Sequence, residues 1–278
     1  MTCLGAIAQL GERLAGSQKV EGSSPSSSIE LVCALTPASA VAPLPVLQGV
    51  RVAWHPGRMP ESGHPRYRDN EGSRFYRAGG SSPEETWQAL GDELGRVLDD
   101  AQRAFWRKPL RMDAERVRWW HGAIFARHFP HDGGRFRRER AFFGVMMPGG
   151  GMRQLEGVAP EAISHELSAV CTSFNERVAA FNDVDAPSVL DRTLAVAALY
   201  AGILRVHPFA DGNHRASFVA LSAALWSLGL SNVELEEDDE IIAHDDALVP
   251  ALLSKDGSIE PFARLLAELI ERSTGSTA

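Results

Sequence analysis

The chain has 278 residues, of which 44% are hydrophobic and 23% are charged. These values exclude a collagen-like or wholly disordered chain, and the length allows one large domain or two small ones. The formal net charge of -8 argues against a protein that coats nucleic acid or an acidic membrane by bulk attraction, so nucleic acid is an unlikely partner.

The cysteines and the hydropathy of the sequence indicate where in the cell the protein is expected. The three cysteines form no C-x-x-C pair, which argues against a disulfide framework or a structural zinc site and is typical of a reducing cytoplasm. The sequence has no run of about 18 apolar residues, so we expect no membrane span. A cytoplasmic location is therefore expected.

The first 51 residues are expected to contribute no fold. GAIAQLGERL and GSSP, within residues 5–28, can be back-translated into sequences that resemble the D-arm and T-arm of a bacterial tRNA gene. We interpret residues 1–51 as a spurious or disordered leader, and a natural Ser-rich leader is the alternative. The domain itself is expected over residues 52–278.

Two helices are predicted in the first part of this domain. The first begins at Ser82, where a capping Ser is followed by Pro in the first turn and Glu three residues on. Apolar residues recur at helical spacing from Trp87 onward, and Pro109 is expected to end the helix. Asp113 is expected to cap a second helix that continues to His128.

A glycine-rich stretch then predicts a short β-hairpin within residues 141–155. Helices are predicted at 160–182, from a capping box at 187–191 to residue 204, from about His214 to Gly229, and at 259–272. The acidic segment 234–240 is interpreted as a solvated loop. The expected class is therefore all-α with one hairpin.

The residues that carry chemistry lie in one loop between two apolar helices, in the sequence HPFADGNHRAS at 207–217. His207 is a candidate general base, because imidazole titrates near neutral pH. Pro208 and Phe209 give a fixed turn and an apolar anchor. Asp211 is an oxygen ligand suited to Mg²⁺.

The end of the same loop is suited to binding an anion. Gly212 and Asn213 allow a backbone turn whose N–H groups point outward, next to the positive end of a helix. Arg215 follows one turn into that helix and can reach a phosphate. A base, a magnesium ligand and an anion site within nine residues indicate phosphate-ester chemistry on a nucleotide.

The loop resembles the active-site motif of the Fic/Doc (Fido) family, H-x-F-x-[DE]-G-N-G-R-x-x-R. The residues that match are His207, Phe209, Asp211, Gly212, Asn213 and Arg215. The stretch HGAIFARHFPHDGGRFR at 121–137 is similar to the segment that leads into the family's hairpin. The resemblance covers residues 110–230.

This resemblance implies a helical Fic-type bundle and transfer of AMP from Mg-ATP to a Ser, Thr or Tyr hydroxyl of a target protein. His207 would take the hydroxyl proton and Asp211 would hold Mg²⁺. Gly212, Asn213 and the following backbone N–H groups would bind phosphate, and Arg215 would stabilise the leaving pyrophosphate. The hairpin would hold the target as an added strand.

Two positions depart from the family motif. His214 stands where the motif has its second Gly, and Phe218 stands where it has its final Arg. Doc toxins share both features, with a basic side chain at the Gly position, and they transfer the terminal phosphate. A Doc-like protein kinase and an inactive nucleotide- or partner-binding module therefore remain alternatives, with His214 a candidate phosphate-binding residue that supplies a hydrogen-bond donor. Restraint by a separate antitoxin is also open.

Two further groups are interpreted as structural. Arginines 127, 135, 137, 138 and 140 are assigned to a solvated basic edge, with Arg137 the least typical because it enters the hairpin beside the site. His121, His128 and His131 are assigned to the core or the surface, because their spacing does not place adjacent ligands on one helix face.

Overall fold

A computed structural model describes residues 83–148, 150–183, 186–233, 238–254 and 256–275. The interpreted leader at 1–51 and the predicted capping residue Ser82 lie outside these ranges. Within them, no helix is long and apolar enough to cross a membrane.

The described part of the chain folds into seven α-helices and one antiparallel hairpin, which confirms the predicted class. The helices are α1 (Pro83–Phe105), α2 (Ala114–Phe125), α3 (Ile163–Ala180), α4 (Val189–Val206), α5 (Asn213–Ser227), α6 (Asp238–Leu253) and α7 (Glu260–Gly275). The strands are β1 (Phe142–Met146) and β2 (Met152–Glu156), paired so that Gly144 faces Gln154.

Helix α4 lies at the centre of the bundle because apolar residues cover nearly all of its circumference. It packs against α3, α5, α6 and α7. Gly202 allows α3 to approach, since a Cβ there would lie 2.7 Å from a methyl carbon of Val170. On another side, Tyr200 stacks on Phe262 of α7 with 5.5 Å between ring centroids. A helix buried on this many sides fixes the position of the loop that follows it.

Side-chain caps set the beginnings of two helices, as the sequence predicts. The hydroxyl of Ser188 accepts the backbone N–H of Asp191 at 3.1 Å, and the Asp191 carboxylate accepts the N–H of Ser188 at 3.1 Å. This reciprocal pair is a capping box at the start of α4. Asp113 caps α2 by accepting the N–H of Arg116 at 2.7 Å.

The end of α1 lies earlier than predicted. The helix stops at Phe105, before Pro109 is reached. Arg107 adopts the left-handed conformation with φ 51°, and its N–H donates to the carbonyl of Trp226 at 2.9 Å. A tertiary hydrogen bond to α5 therefore turns the chain before proline can end the helix.

Two other predictions are wrong in part. Helix α2 ends at Phe125, so His128 lies in the turn beyond it. Helix α6 begins at Asp238, inside the segment predicted as a solvated loop, whose residues 234–237 are not described. An acidic start and an internal Pro250 hide this helix from a periodicity argument.

The hairpin lies against the C-terminal end of α4. The N–H of Val158, just after β2, donates to the carbonyl of Val206 at 3.3 Å. The N–H of Gly157 donates to the carbonyl of Ala141 at 3.0 Å, which closes the base of the hairpin. Helix α6 packs on β1 from the other side. These contacts place the hairpin beside the first residue after α4.

The capping box at the start of α4 is expected to contribute measurably to stability. Ser188→Ala should lower the free energy of unfolding by about 1 kcal/mol, because one N–H at the helix start loses its acceptor. Urea denaturation followed by circular dichroism measures this change. Ser173→Ala, at an exposed position inside α3, is the control and should change stability by less than about 0.5 kcal/mol. Equal losses in both variants would contradict a capping role.

Candidate active site

Residues 207–212 join the buried helix α4 to α5 and form the candidate site. His207 ends α4 in the left-handed conformation, with φ 50° and ψ 59°, and its N–H donates to the carbonyl of Ile203 at 3.1 Å. This conformation is unfavourable for a residue with a Cβ and persists only where the surroundings impose it. The loop therefore has to be held in place by its neighbours.

The side-chain amide of Asn213 holds the loop from inside. Its Oδ1 accepts the N–H of Phe209 at 2.9 Å, and its Nδ2 donates to the carbonyl of Phe209 at 3.0 Å. The Asn213 side chain is 3% exposed, so water does not compete for these two bonds. Because the amide is used in this way, a phosphate contact from Asn213 would come from its backbone.

Buried aromatic rings support the middle of the loop. Phe209 is completely buried and stacks on the imidazole of His121, with 3.8 Å between centroids and 13° between planes. The ring of Phe136 lies 5.8 Å away on another side. Phe209 thus anchors the loop to α2 and to the segment that leads into the hairpin.

His121 connects three segments through both of its ring nitrogens. Its Nδ1 accepts the N–H of Gly134 at 2.9 Å, so the ring proton is on Nε2, which donates to the carbonyl of Asp211 at 3.0 Å. Burial lowers the pKa of His121 to about 4. The ring is therefore neutral at pH 7, as this bonding pattern requires.

The turn at Asp211 and Gly212 brings the chain to the start of α5. The Asp211 carboxylate accepts the N–H of Gly212 at 2.6 Å, and Gly212 has φ 75°. A Cβ at Gly212 would lie 2.4 Å from the Phe125 ring, so conformation and space both require glycine. This turn places the partly exposed Asp211 carboxylate next to the N-terminus of α5, whose partial positive charge attracts anions.

The imidazole of His207 lies between the hairpin and the loop. It stacks on the Phe143 ring of β1, with 4.5 Å between centroids and 5° between planes. Burial, together with the positive charges of His214 and Arg137, lowers its pKa to about 4. The Leu204 carbonyl opposes this shift, but Nδ1 is buried and makes no hydrogen bond of ordinary geometry to any described residue.

The remaining predicted residues lie on the first two turns of α5. His214 is exposed, and Arg215 lies over the Phe125 ring at 5.8 Å from its centroid. Phe218 is half-buried and packs against the core. Among the described residues, no group of three or more His, Cys, Asp or Glu side chains converges on one point. Asp211 is the carboxylate that the 207–212 loop itself provides.

Three residues of this site have a supporting role that the sequence alone does not assign. The sequence places His121 in the core or at the surface, Arg137 on a solvated edge, and Phe143 only on a strand. A signal for His121 exists, since it lies on the same apolar stripe of α2 as Val117 and Ile124. For Arg137 the signal is its position at the entry to the hairpin beside the site, and for Phe143 no sequence signal exists, because its partner comes from a distant part of the chain.

Part of this chain matches a known protein family. Residues 111–225 match the family model described as Fic/DOC family. These residues form a Fic/DOC region. The matched range starts just before α2 and ends within α5, so it includes the hairpin and the complete 207–212 loop. A search of the curated proteins found no match.

Solved structures with the fold of this region include several Fic proteins. The chain is similar to a Fic domain containing signaling protein from Bacteroides thetaiotaomicron, with 19% identity, a TM-score of 0.50, and 71% of this chain and 73% of that chain covered. It is also similar to a variant of Fic-1 from C. elegans, with 20% identity, a TM-score of 0.50, and 71% and 52% covered. At these identities the likeness establishes the fold.

A third similar structure is the N-terminal Fic domain of a Bartonella quintana protein with bound ADP, at 17% identity, a TM-score of 0.49, and 70% and 92% covered. The chain spans about half the length of the C. elegans Fic-1 fragments, at 53% and 52%.

The two buried histidines of the Fic/DOC region predict a loss of stability in acid. His121 and His207 have a pKa near 4 when folded, against 6.5 in the unfolded chain, which therefore binds more protons between these values. The free energy of unfolding should be highest above pH 6.5 and fall as the pH is lowered towards 4, by about 3 kcal/mol for His121 alone. Urea titrations at a series of pH values measure this slope.

His121→Gln should reduce this slope, because the variant has no group at position 121 that protonates in this window. It should also be less stable at pH 7, since Gln has no ring to stack on Phe209. His128→Gln changes an exposed histidine and should leave the slope as in the parent chain. A slope that His121→Gln leaves unchanged would assign the acid sensitivity to other groups.

Proposed function

We propose that the chain is a Fic-type transferase that moves AMP from Mg-ATP to a Ser, Thr or Tyr hydroxyl of a target protein. The observation that carries the proposal is the loop at 207–212, which places a neutral imidazole at one end and the N-terminus of α5 at the other. A proton acceptor and an anion site on one rigid loop are the two groups that phosphoryl or nucleotidyl transfer to a hydroxyl needs.

In the proposed reaction the target hydroxyl oxygen attacks the α-phosphorus of ATP. The bond from that phosphorus to the β-phosphate oxygen breaks, and pyrophosphate leaves with the charge of the broken bond. His207 accepts the hydroxyl proton. The turn at Gly212 and the first turn of α5 bind the phosphates through backbone N–H groups and the helix dipole, and Arg215 stabilises the leaving group.

The electrostatics of His207 suit a base that works only when the nucleotide is bound. A pKa of about 4 keeps the His207 imidazole neutral at pH 7 but makes it a weak base. The negative charge of a bound triphosphate opposes the effect of His214 and Arg137 and raises this pKa. Nucleotide binding would thereby prepare the base for the step in which it is needed.

The donors around Asp211 fit a magnesium ion. Mg²⁺ in phosphoryl-transfer sites is usually bound by one or two carboxylates together with substrate phosphates and water. Asp211 supplies one partly exposed carboxylate, and one of its oxygens already accepts the N–H of Gly212, which fixes its direction. The ion would neutralise charge on the phosphates when it is bound.

Phosphate transfer of the Doc type is the second candidate, and two positions favour it. Phe218 occupies the place of the motif's final Arg and packs against the core, so it gives no positive charge for a terminal phosphate. His214 puts an exposed ring where the motif has Gly, beside the N-terminus of α5. Both changes alter the end of the site that selects which phosphate is next to His207. A nucleotide- or partner-binding module without activity is the remaining alternative.

The extent of the domain and its partners are part of the proposal. We assign residues 52–278 to one Fic/Doc-like domain with its core at about 110–230, where the 111–225 match lies. The hairpin, whose β1 ring of Phe143 lies on His207, would receive the target chain as an added strand. Restraint by a separate antitoxin protein is compatible with this arrangement.

Labelled ATP tests the proposed function directly. The purified chain is incubated with Mg²⁺, cell lysate and ATP labelled on either the α- or the γ-phosphate. Label from the α-phosphate should appear on protein and should fall at least about 100-fold in His207→Ala, because the base is removed. His131→Ala alters an exposed histidine outside the loop and should retain full transfer.

The same assay separates the alternatives. Label from the γ-phosphate alone would replace AMP transfer with the kinase hypothesis. Equal labelling by the chain and by correctly folded His207→Ala would remove His207 from the mechanism. Absence of label from both positions would favour the module without activity.

The two departures from the motif predict a change in specificity. The double variant His214→Gly, Phe218→Arg should increase the ratio of α- to γ-label on protein, because it restores close backbone access and a positive charge for the terminal phosphate. The ratio is measured against the parent chain under identical conditions. A ratio that stays constant would show that neither position selects the orientation of the nucleotide.

A further inference from the structure

Arg137 lies behind the candidate base and is not part of the loop. Arg137 is 6% exposed, and its guanidinium donates to four backbone carbonyls. Nε donates to His207 at 2.6 Å, Nη1 to Glu139 at 2.7 Å, and Nη2 to Val206 at 3.3 Å and also to Val158. The backbone N–H of Arg137 adds a bond to the carbonyl of Pro208 at 3.0 Å.

These bonds join the segments that meet at the base. Val206 and His207 belong to the end of α4, Val158 follows β2, and Glu139 precedes β1. A guanidinium presents five donors in a fixed planar arrangement, so it can satisfy several carbonyls at once where an ammonium cannot. Arg137 therefore fixes the end of α4 and both ends of the hairpin relative to one another.

The geometry of His207 needs such a support. Catalytic histidines are usually oriented by a hydrogen bond to the ring nitrogen that does not act as the base. Nδ1 of His207 makes no hydrogen bond of ordinary geometry to the described residues, and the Leu204 carbonyl acts on the ring only through a distorted one. The ring is oriented by its left-handed backbone, whose carbonyl bonds to Arg137, and by the Phe143 ring that stacks on it.

We infer that Arg137 is the positioning residue for the proposed base: it holds the His207 backbone so that the imidazole stays stacked on Phe143 and faces the loop. That His207 acts as a base rests on the proposed function, whereas the positioning of its ring by Arg137 does not depend on any activity. Arg137 does not touch the reacting atoms, so it acts through His207.

Gly157, just after β2, lies close to both Arg137 and His207. A Cβ at Gly157 would lie 2.7 Å from Nη2 of Arg137 and 2.9 Å from Cβ of His207. Glycine at this position allows the hairpin to close on the pair. Gly157→Ala would therefore crowd both the Arg137 guanidinium and His207.

The test compares Arg137→Lys with Arg138→Lys in the full chain. The first substitution keeps the charge but removes the planar set of donors, and Arg138 is an exposed neighbour that serves as the matched control. Two quantities are measured: steady-state transfer kinetics, and the NMR shifts of the His207 ring protons with ¹³C-labelled histidine. Stacking on Phe143 moves these ring protons upfield, and Phe143→Leu calibrates the size of this shift.

Arg137→Lys should lose the upfield shift and lower kcat by about 10- to 100-fold, the scale expected for a group displaced by about 1 Å, with KM for ATP within about twofold. Arg138→Lys should keep the parent values. A folded Arg137→Lys chain that retains both the shift and kcat would overturn the inference, as would a loss that lies entirely in KM.

Two further measurements cover a variant that does not fold and a chain that transfers no label. If Arg137→Lys does not fold, Arg137→Gln, which also removes the planar set of donors, is measured in its place, and a retained shift with parent kcat overturns the inference. If the parent chain transfers no label, the proposed function fails but the NMR comparison still decides whether Arg137 positions His207.

Discussion

The site depends on the two hydrogen bonds between the Asn213 amide and the backbone of Phe209. They fix a polar loop between two helices whose other residues are largely buried and apolar. A buried amide with both of its groups satisfied is stable, whereas the same amide with one bond missing would be costly. The loop is therefore expected to adopt one conformation rather than several, and that conformation sets the distance between His207 and the start of α5.

The protein supports this loop from two directions with different chemistry. On one side, His121 contributes a neutral ring that bonds through both nitrogens and stacks on Phe209. On the other side, Arg137 contributes a buried cation that satisfies carbonyls. Burial keeps the His121 ring neutral, and the positive charge of Arg137 lowers the pKa of His207. Folding and the ionisation state of His207 are thus coupled.

Much of the fold could be predicted from local signals. The capping box at Ser188 and the cap at Asp113 specify where helices begin, and the glycine-rich stretch specifies the hairpin. The early end of α1 could not be predicted, because it depends on a hydrogen bond from Arg107 to the carbonyl of Trp226, which lies far away along the chain. Local sequence contains no information about such a partner.

In the candidate site, too, some features could be predicted from local sequence and others depend on distant partners. The sequence at 207–217 could be interpreted by itself because an imidazole, a carboxylate, a turn and a helix start are adjacent in it. The roles of His121, Arg137 and Phe143 depend on which segments the fold brings together, so their residue types alone suggest core or surface positions. Asn213 is an intermediate case, because its place in the motif suggests an anion contact and its partner four residues away is found only in the folded loop.

A crystal structure of the full chain with Mg²⁺ and a non-hydrolysable ATP analogue would show where the nucleotide binds and which phosphate faces His207. We expect the triphosphate at the N-terminus of α5, Mg²⁺ on Asp211, and the α-phosphate as the phosphate nearest to His207. A nucleotide bound away from the 207–212 loop would contradict the proposed site. A γ-phosphate beside His207 would contradict AMP transfer while leaving the site itself in place.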